Sequence, residues 1–413
     1  MEFTLIRPTV AQYASVRDSE DTASDSARSL RDTLSIPTEG VLPDRDSSRS
    51  CSPLPLSPGS PSPLSVSPFE ATSAVSLHPP PLPHHVPTPP VNQRSIQSHR
   101  QLELKWISVM GATPSSEAKK SRKIRKLVVD GIPASVRGVV WLYLTDSKGR
   151  RMPGLYPQLC KRGRVAVSND IWIDIQRQPQ SHLYFMIRFQ DHPHLRDPDG
   201  PLMSVLQAYL CMVPDTQYSY GLALIAGHIL LQTPEEDAFW TFVALMDNHP
   251  RGYFSPTARL LEVDAILFEM AVMSFDKGLA TRLFTDLQVK PMDFCRHWFT
   301  TLFAVVLPPT HLNRAWDAVM YFEGPVLLFR LGLAVLTFCR SFILDTSQCR
   351  SSADALAFLL QPPVEVFPSD PDHIVSTAMA AKLKEDDIRK LRPKIEARLK
   401  KQTLVARPPI FVR

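Results

Sequence analysis

The chain is 413 residues long, enough for two or three domains, and its 39 prolines are about twice ordinary usage, so part of it is not globular. A net charge of +5 makes no strong case for nucleic acid, and 6 cysteines without a C–x–x–C pair suit thiols packed in a reduced compartment, not a disulfide framework or a zinc site. The opening residues MEFTLIRPTVAQY hold no apolar run followed by a small-residue cleavage site, so no signal peptide is expected.

Residues 1–95 read as a disordered tail. Ser, Asp, Arg and Pro dominate it, Ser-Pro recurs at Ser52, Ser57, Ser60, Ser62 and Ser67, and HPPPLPHHVPTPP begins at His78. Such prolines favour polyproline II and leave nothing to build a core. A proline-directed kinase or a proline-motif domain is the expected partner, against an inert spacer as the plainer alternative. Helical spacing begins near Arg94. RQLELKWISVMG places Leu102, Leu104, Trp106, Ile107 and Met110 close to a helical period. The basic run from Lys119 to Lys126 could meet acidic lipid or a partner, and reads more simply as the solvated side of a helix whose apolar stripe is Ile124, Leu127 and Val128.

In VVDGIPASVRGVVWLYL, Gly131 is expected to end one helix and Pro133 to sit in the first turn of the next. Arg137 and Trp141 fall i,i+4 on that helix, so Arg137 either lies along the indole or reaches a carboxylate on another helix. The stretch NDIWIDIQRQPQSHLYFMIRF comes after it. It carries Ile171, Asp174 and Arg177 at successive intervals of three, which wind slowly round one side of a helix that Pro179 ends. Ile171 can anchor in a core, Asp174 can hold the chain, and Arg177 can project past the helix end towards phosphate. A surface helix with an i,i+3 ion pair is the bland reading of the same spacing.

DHPHLRDPDGP reads as polar turns. PLMSVLQAYLCMVPDTQ is an amphipathic helix stopped by Pro214, and the nearly unbroken apolar run Leu222–Leu231 marks a central helix whose His228 is a core histidine. PEEDAFW opens the next helix with acidic residues in its first turn. From Ser255 onward the pattern stays helical, with Pro, Gly or Asp breaks and no strand alternation beside a turn dipeptide. Pro325–Leu344 is the most apolar segment and carries Arg330 and Arg340, so a buried helix is expected rather than a membrane span. A last charged helix is expected to be kinked or ended near Pro393. The predicted division is a tail over 1–95, a helical domain over 96–365, and a charged C-terminal helix and tail over 366–413.

Taken together the motifs resemble a TBC domain, the helical module of GTPase-activating proteins for Rab GTPases. GIPASVRGVVW (Gly131, Ile132, Pro133, Arg137, Trp141) resembles the first motif and IWIDIQR (Ile171, Asp174, Arg177) the I–x–x–D–x–x–R motif, with His182 in its continuation. PEEDAFW at Pro234–Trp240, HWFTTLFAVVLP at His297–Pro308 and NRAWDAVMYFEG at Asn313–Gly324 resemble later blocks in the family's order. The implied fold is all-α, a TBC-type multi-helix bundle in two helical subdomains after the long disordered tail. Two departures stand out. Gln178, Pro179 and Gln180 replace the usual Thr-Phe-Pro, and the usual Y–x–Q–G is YSYG, so Tyr220 occupies the glutamine position between Tyr218 and Gly221.

The resemblance implies that Arg177 is an arginine finger, supplied in trans to a GTP-loaded Rab. Such an arginine is worth roughly 10³–10⁵ in rate, or about 4–7 kcal/mol off the barrier. Asp174, Ile171, Tyr218 and Gly221 support that site, while Arg137, Trp141, Arg314, Trp316 and Asp317 are structural. Where the family uses a second finger, a glutamine that positions water, Tyr220 brings a hydroxyl on a bulky ring. Three outcomes are open: two-finger catalysis, arginine-only activation, or a catalytically weak pseudo-activator that serves as a Rab-binding effector or scaffold. No G–x–x–x–x–G–K–[ST], H–E–x–x–H or G–x–S–x–G motif and no metal-ligand spacing occurs, so the chain is expected to need no cofactor or metal of its own. Mg²⁺ and GTP belong to the partner. The expected setting is the cytoplasm, regulating vesicle traffic, with endomembranes met only through the partner and no contact with nucleic acid.

Overall fold

The computed structural model describes residues 93–162, 165–176, 192–248 and 251–405. The Ser-Pro tail, Arg177, Pro179 and His182 lie outside the described residues. Among those described there is no strand. Helix α1 is Gln93–Ala112, α2 Arg122–Asp130, α3 Arg137–Leu144, α4 Ser147–Arg150 and α5 Leu155–Lys161. Then come α6 Ser168–Gln176, α7 Pro201–Met212, α8 Tyr220–Leu230 and α9 Glu235–Asn248. The rest are α10 Arg259–Phe275, α11 Lys277–Ala280, α12 Pro291–Thr300, α13 Pro309–Val319, α14 Pro325–Leu344, α15 Ser352–Leu360, α16 Asp372–Ala380 and α17 Glu385–Val405.

Two groups of helices build the body. In the first, α8 is the hub: every residue from Gly221 to Ile229 is buried, and α6, α7 and α9 pack around it. In the second, α14 is the axis, covered by α10, α13, α15 and α16. That helix is long and apolar enough to cross a membrane, yet 67 % of its most apolar stretch is buried inside the protein, as a core helix's would be. The terminal helix α17 lies along α10.

Pairs of aromatic rings and a few buried charges lock the two groups together. Trp141 of α3, His228 of α8 and Trp316 of α13 form a fully buried triad with ring centroids 4.6–6.0 Å apart. Asp317, completely buried, accepts from Arg137 Nε and from Trp141 Nε1, each at 2.9 Å. The i,i+4 pair on α3 thus shares one carboxylate 180 residues further along the chain. Burial pushes the Asp317 carboxyl up, while Arg137 and the indole N–H pull it back down.

The first motif is a hub of backbone carbonyls. Gly131 caps α2 at φ +117°, a conformation that suits glycine, and its carbonyl accepts from Trp106 Nε1 at 2.9 Å. Arg137 Nη2 holds the carbonyl of Ile132 at 2.7 Å. Arg314, only 5 % exposed, gives Nη1 to Val128 O at 3.0 Å, gives Nη2 to Val129 O, and pairs with Asp372. A guanidinium on the last carbonyls of α2 is the favourable charge for that helix end.

Three expectations are corrected. Pro133 is not in the first turn of α3, because residues 133–136 make a separate turn, with Val136 N–H on Pro133 O at 3.2 Å, and the helix starts at Arg137. Leu104 and Ile107 do not share the buried side of α1: they are 61 % and 54 % exposed, while Trp106 and Val109 are buried. At 100° per residue the anchor Trp106 selects Val109, not Leu104 or Ile107, for its side. Finally α17 does not end at Pro393: the helix continues past it to Val405.

Candidate functional site

The site is built where α6 meets α8. Ile171 and Ile175 of α6 are buried, which fixes the helix's rotation and leaves Asp174 on the rim. The Tyr218 hydroxyl donates to Asp174 Oδ2 at 3.1 Å. Burial raises the Tyr218 hydroxyl's pKa, and the neighbouring carboxylate raises it further, so the phenol stays protonated and remains a donor. Beyond Asp174, Gln176 Nε2 donates at 2.7 Å to Arg196 O, on the far side of residues 177–191. The last described residue of α6 is thereby tied to the short turn Pro193–Arg196.

The third motif is held just as firmly. Gln217 N–H donates to Phe254 O at 2.7 Å, pinning the loop immediately before Tyr218. Tyr220 is the first residue of α8 and half-buried. Gly221 permits the close approach of α8 to the end of α12: a Cβ there would meet Thr300 O at 2.2 Å. The chain past Thr300 turns through two left-handed residues, Leu302 and Phe303, and Trp316 Nε1 holds the Leu302 carbonyl at 3.0 Å. The HWFTTLF block is therefore the wall against which the Y–S–Y–G turn is placed.

Asp174, Ile175, Arg196, Tyr220, Ala223 and Leu224 line one narrow cleft of about 10 Å³, room for one water. Three sequence-derived candidates, Asp174, Tyr218 and Tyr220, thus come together. Arg137, Trp141, Arg314, Trp316 and Asp317 lie instead in the joint between the two helix groups. Arg196 escaped the sequence reading. It belongs to a turn with no periodicity, and only the distance closed by Gln176 brings it to the cleft.

A family model for the Rab-GTPase-TBC domain matches residues 134–344, half of the chain. The chain belongs to this family. Several relatives carry a TBC domain in their names. TBC1 domain family member 10B of Mus musculus is 26 % identical over 275 residues, 66 % of this chain and 33 % of that protein. TBC1 domain family member 10A of Mus musculus is 30 % identical over 241 residues, 57 % of this chain and 46 % of the relative. The matched part of the chain thus spans a third to a half of the length of these curated relatives. Among solved structures, a Chlamydomonas flagellar RabGAP TBC domain is 25 % identical with a TM-score of 0.52, covering 69 % of this chain and 93 % of that one. In this TBC chain the I–x–x–D and Y–x–x–G motifs are the ones that converge, and the R–x–W–D block is the clasp behind them.

Proposed function

We propose that the chain is a GTPase-activating protein for a Rab-type small GTPase, binding the GTP form and supplying Arg177 in trans to the transferring phosphoryl group. The observation that carries this reading is the Tyr218–Asp174 hydrogen bond at 3.1 Å, which unites the second and third motifs at one cleft, three residues before Arg177. A rigid α6 fixes the point from which the chain leaves towards Arg177, and positioning of this kind is most of the contribution an activator makes to phosphoryl transfer. Arg196 brings a positive charge to the cleft. The chain's own part is to bind, to orient and to exclude water. Mg²⁺ and nucleotide are the partner's, and any membrane is met through that partner, where the activity would regulate vesicle traffic from the cytoplasm.

Tyr220 favours a second reading. It lines the cleft, and at the motif position where the resemblance implies a water-orienting glutamine it carries instead a hydroxyl further from the backbone than a carboxamide would be. In that case the chain grips a GTP-loaded Rab as an effector or scaffold with little hydrolysis. Single-turnover GTP hydrolysis over a panel of Rab proteins separates the two. Activation predicts stimulation that Arg177→Ala abolishes, on the scale of roughly 10³–10⁵ assigned to an arginine in trans, and that Tyr220→Gln increases. GTP-dependent binding without stimulation selects the scaffold, and stimulation unchanged by Arg177→Ala removes the finger.

A further inference from the structure

The bonds that hold the Tyr218 turn can be followed outward from the candidate site. Gln217 gives its N–H to Phe254 O at 2.7 Å, and the next residue's hydroxyl, that of Tyr218, reaches Asp174. Phe254 ends the four-residue turn Arg251–Phe254, too short to keep its shape by repeating backbone bonds. Its carbonyl therefore points where its neighbours anchor it. The anchor is Tyr253, 3 % exposed, whose ring lies 6.3 Å from that of Phe299 and whose hydroxyl donates to Asp264 Oδ2 at 2.6 Å. A second tie between the two loops, Arg251 with Asp215 at 3.8 Å, is long and faces solvent, and pairs of that kind are worth little.

At Asp264 the series leaves the family block. This carboxylate is completely buried in α10, and both Nε and Nη2 of Arg392 hold it from α17, which lies outside residues 134–344. Burial and the adjoining carboxylate both raise the Tyr253 phenol's pKa, so it stays protonated and donates. Charge-assisted bonds such as these are short and about twice as strong as neutral ones. Of the side chains of Tyr253, Asp264 and Arg392, only that of Arg392 meets solvent, at 28 % exposed. One enclosed carboxylate thus ties the terminal helix to the turn that aims Phe254 O at Gln217.

We propose that Tyr253, Asp264 and Arg392 are positioning residues for the candidate site, a relay through which α17 sets the place of the Y–S–Y–G turn and with it the α6–α8 cleft. None of the three lines the cleft. Each acts through the Phe254 carbonyl, so a shift of α17 along α10 alters a bond at one end of the series and the cleft at the other. The inference rests on the activator reading only for its effect on rate, and the relay itself can be read without any GTPase.

Hydrogen–deuterium exchange on the full chain is that reading. Peptides spanning 213–221 report the turn, and those spanning 283–290, where Val289 N–H donates to Leu283 O at 2.9 Å away from the relay, are the internal control. Tyr253→Phe keeps the ring beside Phe299 and removes only the hydroxyl. It is expected to speed exchange in 213–221 about tenfold or more, the scale of a bond to a charged group, and to leave 283–290 unchanged. Arg392→Ala should act in the same direction. Arg392→Lys keeps the charge without the fork, and should fall between it and wild type even if the alanine variant does not fold. Because both side chains act through one carboxylate, Tyr253→Phe combined with Arg392→Lys should speed exchange by less than the product of the single effects. On a Rab that the wild type stimulates, Tyr253→Phe should lower the maximal single-turnover rate about tenfold and leave the half-saturating concentration within about threefold, since the turn places the cleft without gripping the partner. Wild-type exchange in 213–221, equal acceleration of both peptides, effects that simply multiply, or an unchanged maximal rate overturns the relay. Exchange that responds as expected while the wild type stimulates no Rab leaves the relay standing and removes the activator reading.

Discussion

Asp317 shows how much a single buried residue can carry. It has no exposed surface, and the side chains that satisfy it, Arg137 and Trp141, come from α3, far away in the chain. Asp317→Ala leaves a guanidinium and an indole N–H facing an apolar gap, and breaking such a pair from one side costs about 3–5 kcal/mol. Urea unfolding of the variant is the measurement, and a loss under about 1 kcal/mol, the worth of a surface pair, would show that the clasp is solvated. Gly221 makes a different prediction. A methyl group there meets the backbone oxygen of Thr300, which cannot rotate away, so Gly221→Ala must push α8 from α12. The expected cost is about 1–3 kcal/mol by overpacking. A fall in melting temperature together with faster amide exchange around Tyr218 would mark the shift, whereas an unchanged melting temperature would place slack where the structure has none. At this scale the sequence is half legible. The i,i+4 spacing of Arg137 and Trp141 announces a shared task, but the acceptor lies 180 residues away, beyond the reach of any local period.

Among the elements, α17 departs furthest from its sequence. Pro393 removes a backbone donor and ordinarily costs a helix interior about 3 kcal/mol, which is why the sequence predicts a kink or a stop there. Tertiary contacts override that cost. The residue just before it, Arg392, grips the fully buried Asp264 of α10 with Nε at 3.0 Å and Nη2 at 2.6 Å and 2.8 Å, and Ile388 and Ile395 are buried on either side. The Tyr253 hydroxyl completes the carboxylate's shell at 2.6 Å. Arg392→Ala therefore leaves Asp264 charged and enclosed, and about 3–5 kcal/mol should be lost, with Arg392→Lys recovering only part because it lacks the planar fork. Denaturant midpoints of the two variants check the order, and equal midpoints would mean that the fork geometry is irrelevant. The start of α11 carries a pH signature. Asp276 accepts from Leu279 N–H at 3.0 Å and from Arg340 Nε at 2.7 Å, and these bonds hold its carboxyl below the ordinary value. A lowered folded pKa contributes stability above about pH 4 and loses it as the pH falls through the folded value. Wild type should exceed Asp276→Asn in stability at neutral pH and converge with it in acid. A gap that persists or widens below about pH 4 would contradict that sign.

At the level of the whole molecule, helix content and motif order can be read from the chain because α8 and α14 are long apolar runs and the motifs have fixed spacings. Which segments belong to the cooperative unit cannot, because that depends on buried charges whose partners lie outside the recognisable stretch. The family match covers 134–344, yet the described residues from Gln93 onward belong to one compact unit. Cut to 134–344, the chain loses Val128 O, Val129 O and Asp372 from Arg314, which is 5 % exposed, and Arg392 from Asp264, which is fully buried. It also loses α16, whose Ile374, Val375 and Ala378 are buried in its packing on α13 and α14. Two buried charges stripped of their ion-pair partners would cost about 3–5 kcal/mol each, which together reach the roughly 5–15 kcal/mol that holds a whole domain. The fragment 134–344 is therefore expected to lack a cooperative thermal transition, while 93–405 unfolds in one step at the temperature of the full chain. Far-UV circular dichroism with temperature on both fragments decides it. A sharp transition in 134–344 close to that of the full chain would mean that the flanking helices are accessories, and that Arg314 and Asp264 find water instead of partners.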